Sequence, residues 1–235
     1  MLNSDINSFD ELAKKLNEAI HLIGISQKLN QHQIDSLIQY IKILQKWNKV
    51  YNLTAITKEN DILVKHIIDC LAVLPNIYTK ISIQNNCEQN HIKILDVGSG
   101  AGLPCIIWAI INPNWLVYSV DAVQKKIAFQ NQVKLELKID NLFPQHIRIQ
   151  DFKLEPQKKL DIITARAYAD TADIVNQTQH LLCNKGFYAL LKGKDNEEFS
   201  LNKNSYNIEK INIKPPFLNA ERRLVIININ ESIKN

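Results

Sequence analysis

The chain has 235 residues, 46% of them hydrophobic, with 28 Lys+Arg against 24 Asp+Glu for a net charge of +4, which is ample for one sizeable core. A pI near 8.7 permits an anionic partner such as RNA without requiring one, and residues 1–80, with 9 basic and 8 acidic side chains, form no charged tail. The scattered Cys70, Cys87, Cys105 and Cys183 exclude a disulfide scaffold and a zinc ligand set, and no run of eighteen apolar residues marks a membrane span, so a cytoplasmic protein without a metal site is expected.

Ser8-Phe9-Asp10-Glu11 has the form of a capping box, and the spacing after it predicts a helix over 9–23 that Gly24 stops. Ile34, Leu37, Ile38, Ile41 and Leu44 predict a second helix over 31–47. Residues 46–56 mix amides, aromatics and lysines without helical period and read as loop or extended chain. A third helix is expected over 59–74, ended by Pro75, with His66 and Asp69 three apart on one face, where they pair with each other or reach the ligand cleft.

The polar stretch 84–89 reads as a boundary, with a helical extension over 1–80 packed on a core domain over 91–235 as one compact unit. Strands and helices then alternate: strand one through Ile94, Leu95 and Val97, strand two over 116–120 ending at Asp121, and a helix over 123–137. Strand three is expected over 147–149, strand four over 160–165, a helix over 170–182 and strand five over 187–191. The tail offers 206–213, the break Pro215-Pro216 and 223–229. The whole reads as a doubly wound α/β fold, mostly parallel, with an antiparallel C-terminal edge.

In such sheets ligands sit beyond the carboxyl ends of the strands near the switch point, which selects the candidate residues. Asp96-Val97-Gly98-Ser99-Gly100-Ala101-Gly102-Leu103-Pro104 joins strand one to a helix and holds three of the six glycines of the chain. Glycine suits the tight turn and close backbone approach, and helix N–H groups follow it. The dinucleotide fingerprint is G-x-G-x-x-G, whereas this loop is D-x-G-x-G-x-G. Its acid would repel a pyrophosphate but suits a ligand carrying an amino group and a sulfonium, and the pattern resembles the first motif of the Rossmann-like S-adenosylmethionine (SAM) methyltransferases.

Asp121 is placed to accept ribose hydroxyls, Arg148, Ile149, Gln150 and Asp151 to meet the adenine, and Arg166 to enter the middle of the cleft. Lys192 could bind substrate phosphate. Neither Asp-Pro-Pro-Tyr nor Asn-Pro-Pro-Tyr follows strand four, which argues against methylation of an exocyclic amine.

Over nearly its whole length the chain resembles the bacterial 16S rRNA (guanine-N7)-methyltransferases, the glucose-inhibited division protein B family. The likeness is carried by Lys46-Trp47-Asn48-Lys49, Tyr51-Asn52-Leu53-Thr54, His66 with Asp69, the glycine loop, Arg166-Ala167, Lys192-Gly193 and Glu221-Arg222-Arg223. It implies methyl transfer from SAM, leaving S-adenosylhomocysteine, to N7 of a guanine at position 527 of 16S rRNA. It implies the 30S subunit or its RNA as partner, with no DNA and no membrane, and a monomer acting in the cytoplasm.

The resemblance puts cofactor contacts at Gly98, Leu103, Ile149, Gln150 and Arg166 and an RNA contact at Arg148. The loop pattern adds Asp96, Ser99, Gly100, Gly102 and Asp121. Arg166, Arg148 and Lys192 are expected to position the reactants, because guanine N7 needs no general base. The chain departs from the family at Ala101 and Cys105 in the loop and lacks basic residues at Ala128 and Asn131. Competing readings are a methyltransferase of a small molecule or protein, and a non-catalytic RNA-binding or ribosome-assembly module.

Overall fold

The computed structural model describes residues 2–25, 29–84, 91–155, 158–166, 170–193, 201–202 and 204–230, with the backbone alone for 2–8. Cys87, most of the polar stretch 84–89, and Ala167 lie outside the described residues. Among the described residues seven strands form one sheet in the order β3-β2-β1-β4-β5-β7-β6. They are β1 (Lys93–Val97), β2 (Leu116–Asp121), β3 (Leu142–His146), β4 (Leu160–Arg166), β5 (Leu182–Lys192), β6 (Tyr206–Ile213) and β7 (Arg222–Ile229). The first five run parallel, and β7 and β6 add an antiparallel edge, the hairpin expected from the tail. Chain direction across the sheet reverses between β1 and β4, which is the switch point.

Alternation along each strand feeds two cores. Ile94, Ile162, Phe187, Ala189, Leu224 and Ile226 face a core shared with α6 (Cys105–Ile111), α7 (Gln124–Leu137) and the N-terminal helices. Leu95, Ile163, Tyr188, Leu190, Val225 and Ile227 face the other core, closed by α8 (Thr171–Thr178). Every residue of α6 is buried, because the sheet covers one side and the N-terminal layer the other.

That layer begins with α1 (Leu2–Ile23), which starts earlier than the capping box implied, so Ser8 to Glu11 lie inside it. Helix α2 (Gln31–Tyr51) runs past Trp47 through the first part of the stretch expected as loop, and ends where Asn52 turns left-handed at φ 49°, leaving 52–56 as the loop. Asn48 is buried there yet satisfied: its side chain donates to the Thr54 carbonyl and accepts from the Thr54 N–H, both at 2.8 Å. An amide thus occupies an apolar-stripe position, which is why the periodicity looked broken.

The expected third helix is composite: α3 (Glu59–Ile62), a π-helical turn (Leu63–Ile68), α4 (Asp69–Leu71) and α5 (Leu74–Ile83). Pro75 opens α5 rather than ending its predecessor, a position where its missing N–H is harmless. The run Glu59–Ile83 is apolar enough by length and composition to cross a membrane, and 72% of its most apolar stretch is buried inside the protein.

Two strands shift from expectation. Strand three is Leu142–His146, not 147–149; Pro144 disguised it, and β3 is an edge strand, where proline is tolerated. Strand five begins at Leu182, because α8 ends at Thr178 and a short 3-10 turn (Gln179–Leu181) intervenes.

Candidate active site

The glycine loop links β1 to α6, with Gly98, Gly100 and Gly102 at φ 66°, 58° and 78°. At Gly102 a Cβ would also overlap the Ile106 side chain of α6, so both conformation and space demand glycine there. The Leu103–Pro104 peptide is cis, and α6 starts one residue later. The N–H groups of Gly98 and Ser99 donate to the Val120 carbonyl at the end of β2, at 2.9 and 3.2 Å.

Side chains from three other elements pin the next peptides. The Gly100 N–H donates to Asp121 Oδ2 at 2.9 Å. Gln130 of α7 donates to Ser99 Oγ at 2.8 Å and to the Gly100 carbonyl at 2.9 Å. Its Oε1 accepts from Ser119 Oγ at 2.6 Å. Gln130 is fully buried, and these bonds use both of its donors and its acceptor oxygen. From the N-terminal layer the Tyr40 hydroxyl donates to the Ala101 carbonyl at 2.8 Å.

Beside the loop lies a cavity of about 410 Å³, a volume fit for a small ligand, lined by Val97, Gly98, Val120, Asp121, Ala122, Lys126 and residues 147–150. Asp121 reaches its wall with both oxygens engaged: Oδ1 accepts from the Val123 N–H at 2.9 Å, and Lys126 Nζ stands 3.5 Å from Oδ2.

Asp96 is fully buried below the loop. Its Oδ2 accepts from the Cys105 N–H at 3.2 Å, while Oδ1 finds no partner among the described residues. Burial pushes this carboxyl up to about 7, against the pull of the Cys105 hydrogen bonds and the Arg166 charge. A buried carboxylate with one oxygen unpartnered could hold a cationic group that reaches the loop.

Arg166, at the end of β4, turns toward the π-turn. Its Nη2 donates to the Lys65 carbonyl at 2.7 Å, lies 3.2 Å from His66 Nδ1, and pairs with Asp69 Oδ2 at 3.3 Å. Arg222 of β7 donates to Asp69 Oδ1 at 2.9 Å. Burial pushes the Asp69 carboxyl up, against the two guanidinium charges.

His66 Nδ1 also lies 3.1 Å from the Lys65 carbonyl. That carbonyl has a lone pair for each, so Nδ1 either donates to it or accepts from Arg166 according to the tautomer, and Nε2 lies 3.0 Å from Thr54 Oγ1. Burial and then the Arg166 charge lower His66 to about 4, which keeps it neutral. His66 and Asp69 therefore meet through Arg166, not directly, in a chain running from Thr54 to Arg222.

A family model described as rRNA small subunit methyltransferase G (GidB) matches residues 33–225. The chain belongs to that family. A ribosomal RNA small subunit methyltransferase G from Francisella philomiragia is 38% identical over 218 residues, covering 93% of this chain and 98% of its own. The protein of the same name from Burkholderia thailandensis is 37% identical over 232 residues, covering 97% and 96%. Among solved structures, magnesium protoporphyrin IX methyltransferase from Synechocystis, with bound SAM, superposes with TM-score 0.52 at 12% identity over 80% of this chain and 97% of its own. A SAM-dependent methyltransferase from Aquifex aeolicus gives 0.52 at 11% over 72% and 93%. These two show a shared fold, the Rossmann-like methyltransferase architecture, and in this chain N-terminal helices precede it.

Of the residues expected from the loop pattern and the resemblance, Gly98, Asp121, Arg148, Ile149 and Gln150 share the cavity wall. Asp96, Ser99, Gly102 and Leu103 are buried in or under the loop, Gly100 is half-buried within it, and Arg166 faces the π-turn. Lys192 ends β5 opposite Arg223 of β7, away from the cavity wall. Sequence reasoning missed Tyr40, Gln130 and Lys126. Gln130 left a legible trace, since it falls on the stripe of Ile127, Val133 and Leu137 where only apolar residues belong.

Proposed function

We propose that this protein transfers the methyl group of SAM to N7 of guanine 527 in 16S rRNA, in the cytoplasm, with the 30S subunit or its RNA as substrate. The observation that carries the reading is the family match across residues 33–225 together with a pinned D-x-G-x-G-x-G loop beside a ligand-sized cavity. The orphaned Asp96 Oδ1 is the feature that fits SAM, whose ammonium would supply the missing partner. Asp96 and residues 98–103 would hold the methionine end, Asp121 the ribose, and Ile149 and Gln150 the adenine.

When bound, SAM supplies an electrophilic methyl group, which guanine N7 can accept on its ring lone pair without prior deprotonation. The chain therefore needs no general base, and the described site offers residues suited to holding and desolvating. Positioning alone is worth ~7–11 kcal/mol in well-oriented reactions. Arg148, exposed on the cavity rim, and Lys192 would hold phosphates. Arg166 acts through the π-turn as a positioning residue, so Arg166→Ala lowers turnover on 30S subunits at saturating SAM.

The test is tritiated SAM offered with 30S subunits, naked 16S RNA and RNA-free lysate, followed by mapping of the labelled base. Label at guanine N7 supports the reading. Label in the RNA-free lysate supports another acceptor, and RNA binding without label supports an assembly module.

A further inference from the structure

Four aromatic rings run in series from the glycine loop to solvent. Tyr40, which holds the Ala101 carbonyl, meets Phe129 edge to face with centroids 6.1 Å apart. Phe129 meets Trp47 edge to face at 5.8 Å, and Trp47 lies 5.0 Å from Tyr51 at an interplanar angle of 33°. Exposure rises along the row, from fully buried Tyr40 and Phe129 to Tyr51 at 41%. The outermost ring thus ends a built aromatic column with part of its surface open.

The two helix ends joined there are apolar and basic. Val50, Lys46 and Lys49 are exposed at the carboxyl end of α2, and Val123 and Lys125 at the amino end of α7. Residues 46–52 and 122–126 contain no acid. The shelf is tied to the cavity, because Lys125 donates to the Tyr51 carbonyl at 2.7 Å and Lys126, next in the chain, lines the cavity wall.

A protein partner would gain from the valines but would need acids for the lysines. An unpaired nucleic-acid strand supplies both kinds of complement at once, a base for the ring and phosphates for the ammonium groups. We infer that Tyr51, with Lys46, Lys49 and Lys125, forms a docking shelf for single-stranded RNA at the rim of the cofactor cavity, with one base stacked on the open side of Tyr51. This rests on the rRNA reading above and adds to it where the strand lies.

The experiment measures binding of 30S subunits and of naked 16S RNA to the full chain with S-adenosylhomocysteine present, across a salt series. Tyr51→Ala weakens RNA binding about tenfold, and Tyr51→Phe, which keeps the ring, stays within about twofold. Lys49→Ala and Lys125→Ala each lower the slope of log affinity on log salt by about 0.7–1. Lys185→Ala, exposed near the amino end of β5, is the control and binds as the wild type does.

Affinity for S-adenosylhomocysteine is unchanged in Tyr51→Ala, which separates lost docking from lost folding. Should that variant unfold, Tyr51→Leu keeps apolar bulk without a ring and shows the same loss. Wild-type RNA affinity in both variants overturns the shelf, as does a change in self-association with RNA affinity intact. Because binding is read apart from methylation, a wild type that methylates guanine while the Tyr51 variants bind normally sinks only the shelf. A wild type that binds through Tyr51 yet methylates nothing sinks only the enzymatic reading.

Discussion

Two buried titratable groups bracket the site and pull stability in opposite directions with pH. Burial raises Asp96 from 3.8 to about 7, so between those values the folded chain keeps a proton that the unfolded chain has released, and stability falls as pH rises. Burial and the Arg166 charge lower His66 from 6.5 to about 4. There the unfolded chain holds the extra proton, and stability falls as pH drops. Between about pH 4 and 6.5 the two slopes offset each other, and urea midpoints are expected to separate them. Asp96→Asn leaves the His66 slope, with midpoints falling toward low pH; His66→Asn leaves the Asp96 slope, with midpoints falling toward high pH. Parallel curves for all three proteins would refute the assignment. If Asp96 faces the amino group of the cofactor, wild-type affinity for S-adenosylhomocysteine also tightens as pH rises through about 7, and Asp96→Asn loses that dependence. Asp69 is a separate case, because its carboxylate sits between two guanidiniums at 3.3 and 2.9 Å with its side chain 5% exposed. Asp69→Ala strands both charges and is expected to cost about 3 kcal/mol. In a thermal melt that is a drop of roughly 6–12 °C.

At the scale of elements, the loop is held less by its own sequence than by side chains reaching it from α2 and α7. Tyr40→Phe removes one bond and leaves the buried Ala101 carbonyl without its donor, while Gln130→Leu, close in volume, strips Ser99 Oγ, the Gly100 carbonyl and Ser119 Oγ of a partner. Such losses cost about 1–3 kcal/mol for each orphaned group. Calorimetric titration with S-adenosylhomocysteine is expected to show roughly five- to tenfold weaker binding for Tyr40→Phe and more than tenfold for Gln130→Leu. Unchanged binding in both would mean that the pins serve the fold alone. These pins also mark where the sequence stopped being legible. The β1 loop, the order of elements and the C-terminal hairpin follow from hydrophobic period and glycine spacing, which are local properties. The continuation of α2 past Trp47 does not, because Asn48 takes an apolar position only after Thr54 has folded back onto it. Nor does strand β3, whose Pro144 reads as a breaker until an edge position excuses it. The path of Arg166 to Lys65, His66 and Asp69 spans about a hundred residues of chain and depends on a π-turn, for which residues 63–68 carry no distinguishing period.

Across the whole molecule, the N-terminal layer and the sheet share one apolar core. Leu16, Leu37, Ile41 and Leu44 of the first two helices are fully buried in the same cluster as Trp108, Ile106 and Phe187. Trp108 of α6 donates its indole N–H to the Cys70 carbonyl of α4 at 2.9 Å and meets Trp115 edge to face. A sheet domain over 91–235 standing alone would expose one whole side of α6, a helix with no polar face to offer water. We therefore propose that the helical extension and the sheet unfold as one unit. Far-UV circular dichroism weights the helices, whereas tryptophan fluorescence reports Trp47, Trp108 and Trp115, all packed on this shared core. The two urea transitions are expected to coincide. Leu37→Ala, a truncation wholly within α2, is expected to lower stability by about 3 kcal/mol, to the same extent by both probes. An early helical transition, accompanied by only part of the fluorescence change with the rest following in a later step, would instead divide the chain between the N-terminal helices and the sheet.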